Sequence, residues 1–272
     1  MAGLVKQFTA FGTDAVGLER LLRLFQSIAL VIASYPTLLL LTSPDASEKA
    51  QIATATMLFQ LAGRLNIIRR TMRVFRFLGD FQHGWAVYTA QDKSLEMWCD
   101  VLGSSFWGMF GFIESLTLPD LMDVQNLEFF GPQRTEEMNS QAQVIWFAAL
   151  YASALGSGIQ ILRTLAYRPV PQPLQVPSED GQATEKDSTG LDDMRKERER
   201  LKQALQKKTS EEKSQITGLS ISLLASVLDM AIPVSTLGWV NIDDGIVAGI
   251  MVVTTFLTST GAWQRCGQSV GA

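Results

Sequence analysis

The stretch MLFQLAGRLNIIRRTMRVFRFLGDF, residues 57–81, separates its charged side chains from its large apolar ones. It contains five arginines and one acid, Asp80. At about 100° per residue, the apolar side chains fall on one face of a helix and four arginines gather opposite, while Arg64 interrupts the apolar face. The apolar residues are Leu61, Leu65, Ile68, Met72, Phe75 and Leu78, and the arginines are Arg64, Arg69, Arg70, Arg73 and Arg76. This pattern predicts a single basic amphipathic helix over residues 57–81.

Such a segment is typical of a helix that lies in the plane of a membrane interface. Each arginine near anionic headgroups contributes on the order of 1 kcal/mol, and full burial of each large apolar side chain contributes roughly 1.5–3 kcal/mol. Because burial at least equals the charge term, we expect the helix to insert into an anionic phospholipid bilayer as a wedge that favours positive curvature. The alternative is a helix docked on the protein's own membrane helices, with its arginines in water.

The rest of the chain is poor in charge. The 272 residues carry a net charge of −4, and residues 178–213 alone hold 10 acids and 9 bases. That leaves 31 of the 50 charged residues for the other 236 positions, about half the density of globular proteins. With a hydrophobic fraction of 47%, this depletion indicates a chain that faces lipid.

Several stretches approach the length of about 20 largely apolar residues with which a helix crosses a bilayer. They are residues 24–44, 97–118, 142–162, 216–240 and 245–263. Pro36 interrupts the first, which we interpret as a kinked or partly inserted element. Asp100 and Glu114 lie within the second stretch and Asp229 within the fourth, where an acid is costly unless it faces other helices or the interface.

These features predict an all-α, multi-helix integral membrane protein with an in-plane basic amphipathic helix and a C-terminal transmembrane hairpin. Its parts are an N-terminal helical region (1–95), a membrane helix pair (96–168), a cytosolic charged and partly disordered insert (169–213) and the hairpin (214–272). Prolines favour an extended start for the insert, and strong helix formers follow from Leu191. Because the loop 119–141 is acidic and the insert contains many bases, the positive-inside rule predicts that both termini are cytosolic.

Composition excludes several function classes. A near-neutral charge argues against a nucleic-acid-binding domain, and two cysteines with one histidine cannot build a structural zinc site. The sequence has no Gly-Lys-Ser/Thr phosphate loop and no Gly-x-Ser-x-Gly nucleophile motif. We therefore expect no enzyme activity, no catalytic residue, no metal and no cofactor, and we interpret His83 as an interfacial or packed residue.

The acids within apolar stretches leave a second function open. A pore or carrier for small metabolites could be lined by Asp229, Glu114 or Asp100, since ionisable residues inside a membrane are functional candidates. The preferred interpretation of Asp229 is that it gives specificity to a contact between helices.

Small residues at intervals of four predict close helix contacts and self-association into a homo-oligomer. They are Ala152 and Gly156, Ala154 and Gly158, and Gly245 and Gly249.

Three parts of the sequence resemble the peroxin-11 family of peroxisomal membrane proteins. Residues 69–81, RRTMRVFRFLGDF, are similar to that family's basic amphipathic signature, and residues 17–26, GLERLLRLFQ, resemble its N-terminal helix. The two apolar C-terminal helices fit its usual end. Asp80 departs from the family pattern, which commonly has a lysine there. The resemblance implies elongation of the peroxisomal membrane before fission and recruitment of fission machinery, including a dynamin-like GTPase.

Overall fold

The computed structural model describes residues 2–35, 37–38, 47–91, 94–122, 124, 127–167 and 188–271. Within these ranges the chain is helical and contains no strand. The helices are α1 (Ala2–Thr13), α2 (Ala15–Ser34), α3 (Glu48–Met72), α4 (Arg76–Thr89), α5 (Leu95–Leu121), α6 (Pro132–Ala166), α7 (Ser188–Asp229), α8 (Ala231–Thr236) and α9 (Asp244–Val270).

Polar and glycine residues mark the ends of these helices. The Asp14 carboxylate accepts a hydrogen bond from the backbone N–H of Gly17 at 3.0 Å, and Asp243 does the same for Gly245 at 2.9 Å. Such N-caps satisfy N–H groups that have no partner within the helix. At the other end of α9, Gly271 takes the left-handed conformation (φ 69°) that often terminates a helix.

Among the described residues, four segments are long and apolar enough to cross a membrane. They are Leu95–Leu121, Pro132–Ala166, Thr209–Thr236 and Asp244–Val270. These segments contain the predicted stretches 97–118, 142–162 and 245–263 in full, and residues 216–236 of the stretch 216–240. The last two lie next to each other in the chain and join at the turn 237–243. The prediction of an all-α membrane protein is confirmed.

Helix α2 runs beside α9 in the antiparallel sense. Arg23 Nη2 donates to Thr254 Oγ1 at 2.9 Å, and the Tyr35 hydroxyl lies 3.4 Å from Asp243 Oδ1. Residues 24–34 thus belong to one continuous helix that runs beside a candidate span. Pro36 and residues 39–44, the rest of the stretch 24–44, lie outside the described residues.

One helix crosses the boundary predicted at residue 213 between the charged insert and the hairpin. Helix α7 continues from Ser188 to Asp229 without a break, because its first half is rich in strong helix formers and holds no proline. The extended start predicted for the insert falls on residues 168–187, outside the described part of the chain.

The stretch 57–81 forms two helices, and the prediction of a single helix is therefore wrong. Helix α3 ends at Met72 and α4 begins at Arg76. The two adjoining residues Arg73 and Phe75 have ψ angles of 2° and 7°, away from the helical value. The Val74 carbonyl oxygen, released from the helix, accepts a hydrogen bond from Ser115 Oγ at 2.6 Å.

This break directs α4 along α5. The rings of Phe77 and Phe112 lie 5.4 Å apart, and the Phe81 ring packs against Gly108, where an added Cβ would lie 2.6 Å from the ring. The close approach therefore requires glycine at position 108. Arg73, in the break itself, is brought between two acids.

Candidate functional site

Arg69 lies inside the protein, on the face of α3 that packs against α2. It is 5% exposed. Its Nε and Nη2 atoms donate to Glu19 Oε1 at 2.9 and 2.7 Å, and Nη1 donates to Gln26 Oε1 at 2.6 Å. The guanidinium group therefore joins α3 to two positions that lie two turns apart on α2.

Arg70 and Arg73 both bind Glu114, an acid within the candidate span α5. Arg73 Nη2 lies 3.2 and 3.1 Å from the two Glu114 oxygens, and Arg70 Nε lies 3.3 Å from Oε1. Arg73 Nη1 also reaches Glu19 Oε1 at 3.5 Å, and Arg70 Nη1 donates to Asn139 of α6 at 3.0 Å. Arg73 therefore connects the two carboxylates, Glu19 and Glu114.

Asp229 has an arginine partner as well. Arg23 Nη2 lies 2.6 Å from Asp229 Oδ1 and also donates to Thr254. Both side chains of the ion pair are less than a tenth exposed. The pair connects α2, α7 and α9 inside the helix bundle, the environment in which an acid within an apolar helix requires a partner. Together, these arginines, the three carboxylates and their polar neighbours form what we call the arginine network.

Burial and the arginines act in opposite directions on Glu19. Burial raises the pKa of its carboxyl, but Arg69, Arg20 and Arg73 outweigh burial and lower the pKa to about 2. Burial lowers the pKa of Arg69 to about 10, with Glu19 opposing the shift. Both groups are charged at neutral pH. Because the folded-state pKa of Glu19 is depressed, its contribution to stability is present above the ordinary value of 4.5 and is lost as the pH falls towards about 2.

The apolar face predicted for the stretch 57–81 lies on the outside. Five of its six residues are between 37% and 74% exposed, namely Leu61, Ile68, Met72, Phe75 and Leu78. Leu65 is half-buried, and Arg64 and Arg76 are exposed. The structure thus presents a row of large apolar side chains directly behind the arginine network.

The orientation of three arginines differs from the prediction. Arg69, Arg70 and Arg73 turn towards the helix bundle, where they pair with carboxylates from α2 and α5. An unpaired guanidinium in a region of low dielectric constant is costly, and Glu19 and Glu114 remove that cost. Sequence reasoning did not identify Glu19, Arg23 and Gln26 as site residues. Their spacing of four and three residues places three polar side chains on one face of an otherwise apolar helix, a pattern that could have indicated the site.

The predicted helix-packing residues behave differently from one another. Ala154 is buried, and Gly245 packs against the Tyr35 ring, 2.6 Å from where its Cβ would be. At Gly158 and Gly249, an added Cβ would meet no atom within 4 Å in the described structure. These last two therefore mark open surface on the single chain.

The remaining candidate residues lie away from the network. His83 Nε2 is 3.2 Å from Asp100 Oδ2, and both side chains are more than half exposed. His83 is thus exposed and paired with an acid. Among the described residues, no group of three or more His, Cys, Asp or Glu side chains could hold a metal ion.

The family model of Peroxisomal biogenesis factor 11 (PEX11) matches residues 5–263. The match includes every residue of the arginine network and the whole apolar face of α3 and α4. No curated protein and no solved structure matches the chain.

The pair of Arg23 and Asp229 provides a test of the network. Arg23→Met leaves a buried carboxylate without its ion-pair partner, and we expect it to lower the free energy of unfolding by about 3–5 kcal/mol. The double variant Arg23→Met with Asp229→Leu should recover a large part of that loss, since it removes both charges. The measurement is denaturant unfolding of the purified protein in detergent. Arg265→Met, at an exposed arginine, is the control, and equal losses in Arg23→Met and Arg265→Met would contradict the burial of the pair.

Proposed function

The chain belongs to the peroxisomal biogenesis factor 11 family, and from this membership we propose that it elongates the peroxisomal membrane by inserting the apolar face of α3 and α4 as a wedge. The family places the protein in the peroxisomal membrane and in peroxisome proliferation. The wedge is our proposal for how it acts, and the exposed apolar face behind the arginine network is the observation that carries it.

The energy for insertion comes from the apolar side chains. Each large one contributes roughly 1.5–3 kcal/mol when it moves from water into the acyl region. Phe75, 74% exposed, stands at the break between α3 and α4 and is the most exposed of the set. Side chains inserted into one leaflet expand it relative to the other, which favours the positive curvature of a tubule.

The arginines have two roles in this proposal. Arg69, Arg70 and Arg73 hold α3 against the bundle, so the wedge keeps its position relative to the membrane spans. Arg64 is exposed and is free to meet anionic phospholipid headgroups, contributing about 1 kcal/mol. The free energy gained by burying the apolar side chains therefore exceeds that gained at the headgroups by a wider margin than the sequence pattern alone predicted.

Topology and partners follow from the same proposal. The four candidate spans among the described residues are an even number, which supports positions for both termini on the same side of the membrane. The positive-inside rule makes that side the cytosol. The charged segment before Thr209 would then be cytosolic too. There it could be reached by fission machinery, including a dynamin-like GTPase, the partner implied by resemblance.

A pore or carrier is the second candidate, and one observation favours it. Glu114 and Asp229 both line a cavity between the helices. Each is paired with an arginine, however, and Asp100, the third acid considered for a pathway, is exposed outside that cavity. A planar bilayer containing pure protein that conducts no ions, or an Asp229→Asn variant with unaltered conductance, would remove this candidate.

Membrane elongation should depend on the apolar face. A variant with Leu61→Glu, Ile68→Glu and Phe75→Glu should lose tubulation of anionic vesicles and elongation of peroxisomes in cells, because each carboxylate opposes insertion by up to about 3 kcal/mol. Electron microscopy of vesicles and light microscopy of peroxisomes provide the readouts. Targeting to peroxisomes should be retained.

The matched control adds three carboxylates to exposed polar or small positions of the same helices, Gln60→Glu, Thr71→Glu and Gln82→Glu. This control should tubulate and recruit a dynamin-like GTPase as the unaltered protein does. Peroxisome elongation by the apolar-face variant, or equal loss in both variants, would show that the wedge mechanism is wrong.

Self-association is proposed through the open small residues. Gly249→Leu should reduce the crosslinked dimer fraction in native membranes severalfold, because a large side chain prevents close approach of helices. Gly63→Leu, another glycine whose Cβ would meet no atom but outside the predicted contact, serves as control. Crosslinking of Gly249→Leu at the unaltered level would exclude this contact.

A further inference from the structure

A cavity of about 490 Å³ lies against the arginine network. Its volume falls within the range of about 300–1,000 Å³ that is usual for small-molecule sites. Its walls come from every described helix except α1. The cavity therefore sits where the N-terminal helices meet the candidate membrane spans.

Positive charge is in excess around this cavity. Six arginines line it, against four carboxylates. The arginines are Arg20, Arg23, Arg69, Arg70, Arg73 and Arg76, and the carboxylates are Glu19, Asp80, Glu114 and Asp229. Among the described residues, two positive charges are thus left without a carboxylate.

Of the arginines that line the cavity, Arg20 and Arg76 have the most distant carboxylate partners. Arg20 has one ion pair among the described residues, with Glu19 at 3.6 Å, and Arg76 has none within 4 Å there. Burial lowers the pKa of Arg20, Glu19 and Asp229 oppose this shift, and the positive charges of Arg23 and Arg76 add to it. Like charges held close together in this way are stabilised by a bound anion.

Unused hydrogen-bonding atoms point to the same place. Seven buried side-chain nitrogen or oxygen atoms have no hydrogen-bond partner within the described chain, and six of them belong to residues that line the cavity. Five of the six are N–H donors: the Nε atoms of Arg20, Arg23, Arg70 and Arg73, and Nε1 of Trp146. Two of these, on Arg20 and Arg70, lie 3.6 and 3.3 Å from a carboxylate oxygen without forming a hydrogen bond.

We propose that this cavity binds a phosphate group, either the headgroup phosphate of a phospholipid or free inorganic phosphate. A phosphate group offers several acceptor oxygens and negative charge at once, and guanidinium groups match its geometry. Water alone could accept some of the N–H groups but would leave the two positive charges uncompensated. This inference does not depend on the wedge, which acts through the opposite, apolar face of α3 and α4.

Arg76 gives the cleanest test because it is exposed and makes no ion pair in the described structure. Full-length protein is placed in nanodiscs of neutral phosphatidylcholine, and its thermal unfolding is followed with increasing sodium phosphate, compared with sodium chloride at equal ionic strength. A second series replaces the added phosphate by nanodiscs that contain phosphatidic acid. The variants are Arg76→Gln and Arg20→Gln, and the control is Arg265→Gln, at an exposed arginine outside the cavity.

The expected result is a saturable rise in the midpoint temperature of the unaltered protein and of Arg265→Gln. Arg76→Gln and Arg20→Gln should need about tenfold more ligand for the same rise, because each loses a charge-assisted contact. A response to inorganic phosphate in neutral nanodiscs identifies the free anion as ligand, and a response to phosphatidic acid alone identifies a lipid headgroup.

Two results would overturn the proposal. In the first, phosphate shifts the midpoint temperature no more than chloride does, and nanodiscs with phosphatidic acid shift it no more than nanodiscs of phosphatidylcholine alone. The other is an unchanged ligand requirement in Arg76→Gln. If Arg20→Gln fails to fold, Arg76→Gln decides the outcome alone.

Discussion

The pairing of buried guanidinium groups with carboxylates is the constraint on which this helix bundle depends. Three acids on three helices, Glu19, Glu114 and Asp229, each bind at least one arginine from another helix. A charge left unpaired in such a place destabilises a protein by several kcal/mol. Helices α2, α3, α5 and α7 must therefore pack so that these partners meet, and few other arrangements of the same apolar helices would satisfy them.

The position of the arginines decides what the outer surface is. Because Arg69, Arg70 and Arg73 turn inward, the apolar side chains on the other side of α3 and α4 turn outward, with Phe75 at the break between the helices. A loosely attached amphipathic helix would gain the same burial energy on insertion, but it could move independently of the spans. Here the network joins the apolar face to the candidate membrane spans. The proposed wedge would therefore act on the shape of the bilayer while held at a fixed position relative to those spans. A phosphate group bound in the proposed cavity would add a ligand to the arginine network that joins these helices.

Much of this architecture could be predicted from sequence, because lipid exposure requires long apolar runs and a helix repeats every 3.6 residues. The four candidate spans of the described chain and the shared face of Leu61, Ile68 and Phe75 follow from those two rules. Periodicity does not say which face packs on the protein, however, and the partner of Arg69 lies 50 residues away at Glu19. The break after Met72 could not be predicted from periodicity either, because the residues that contact it, Glu114 and Ser115, lie on α5.

The most direct test of this orientation is the accessibility of spin labels in the full-length protein in lipid vesicles. Labels placed one at a time at Leu61, Ile68 and Phe75 should be mobile and accessible to oxygen dissolved in the lipid. A label at Ala62, which is 2% exposed on the inward face, should be immobile and inaccessible to both oxygen and a water-soluble nickel complex. Immobile, inaccessible labels at the three apolar positions, together with a nickel-accessible label at Ala62, would contradict the account.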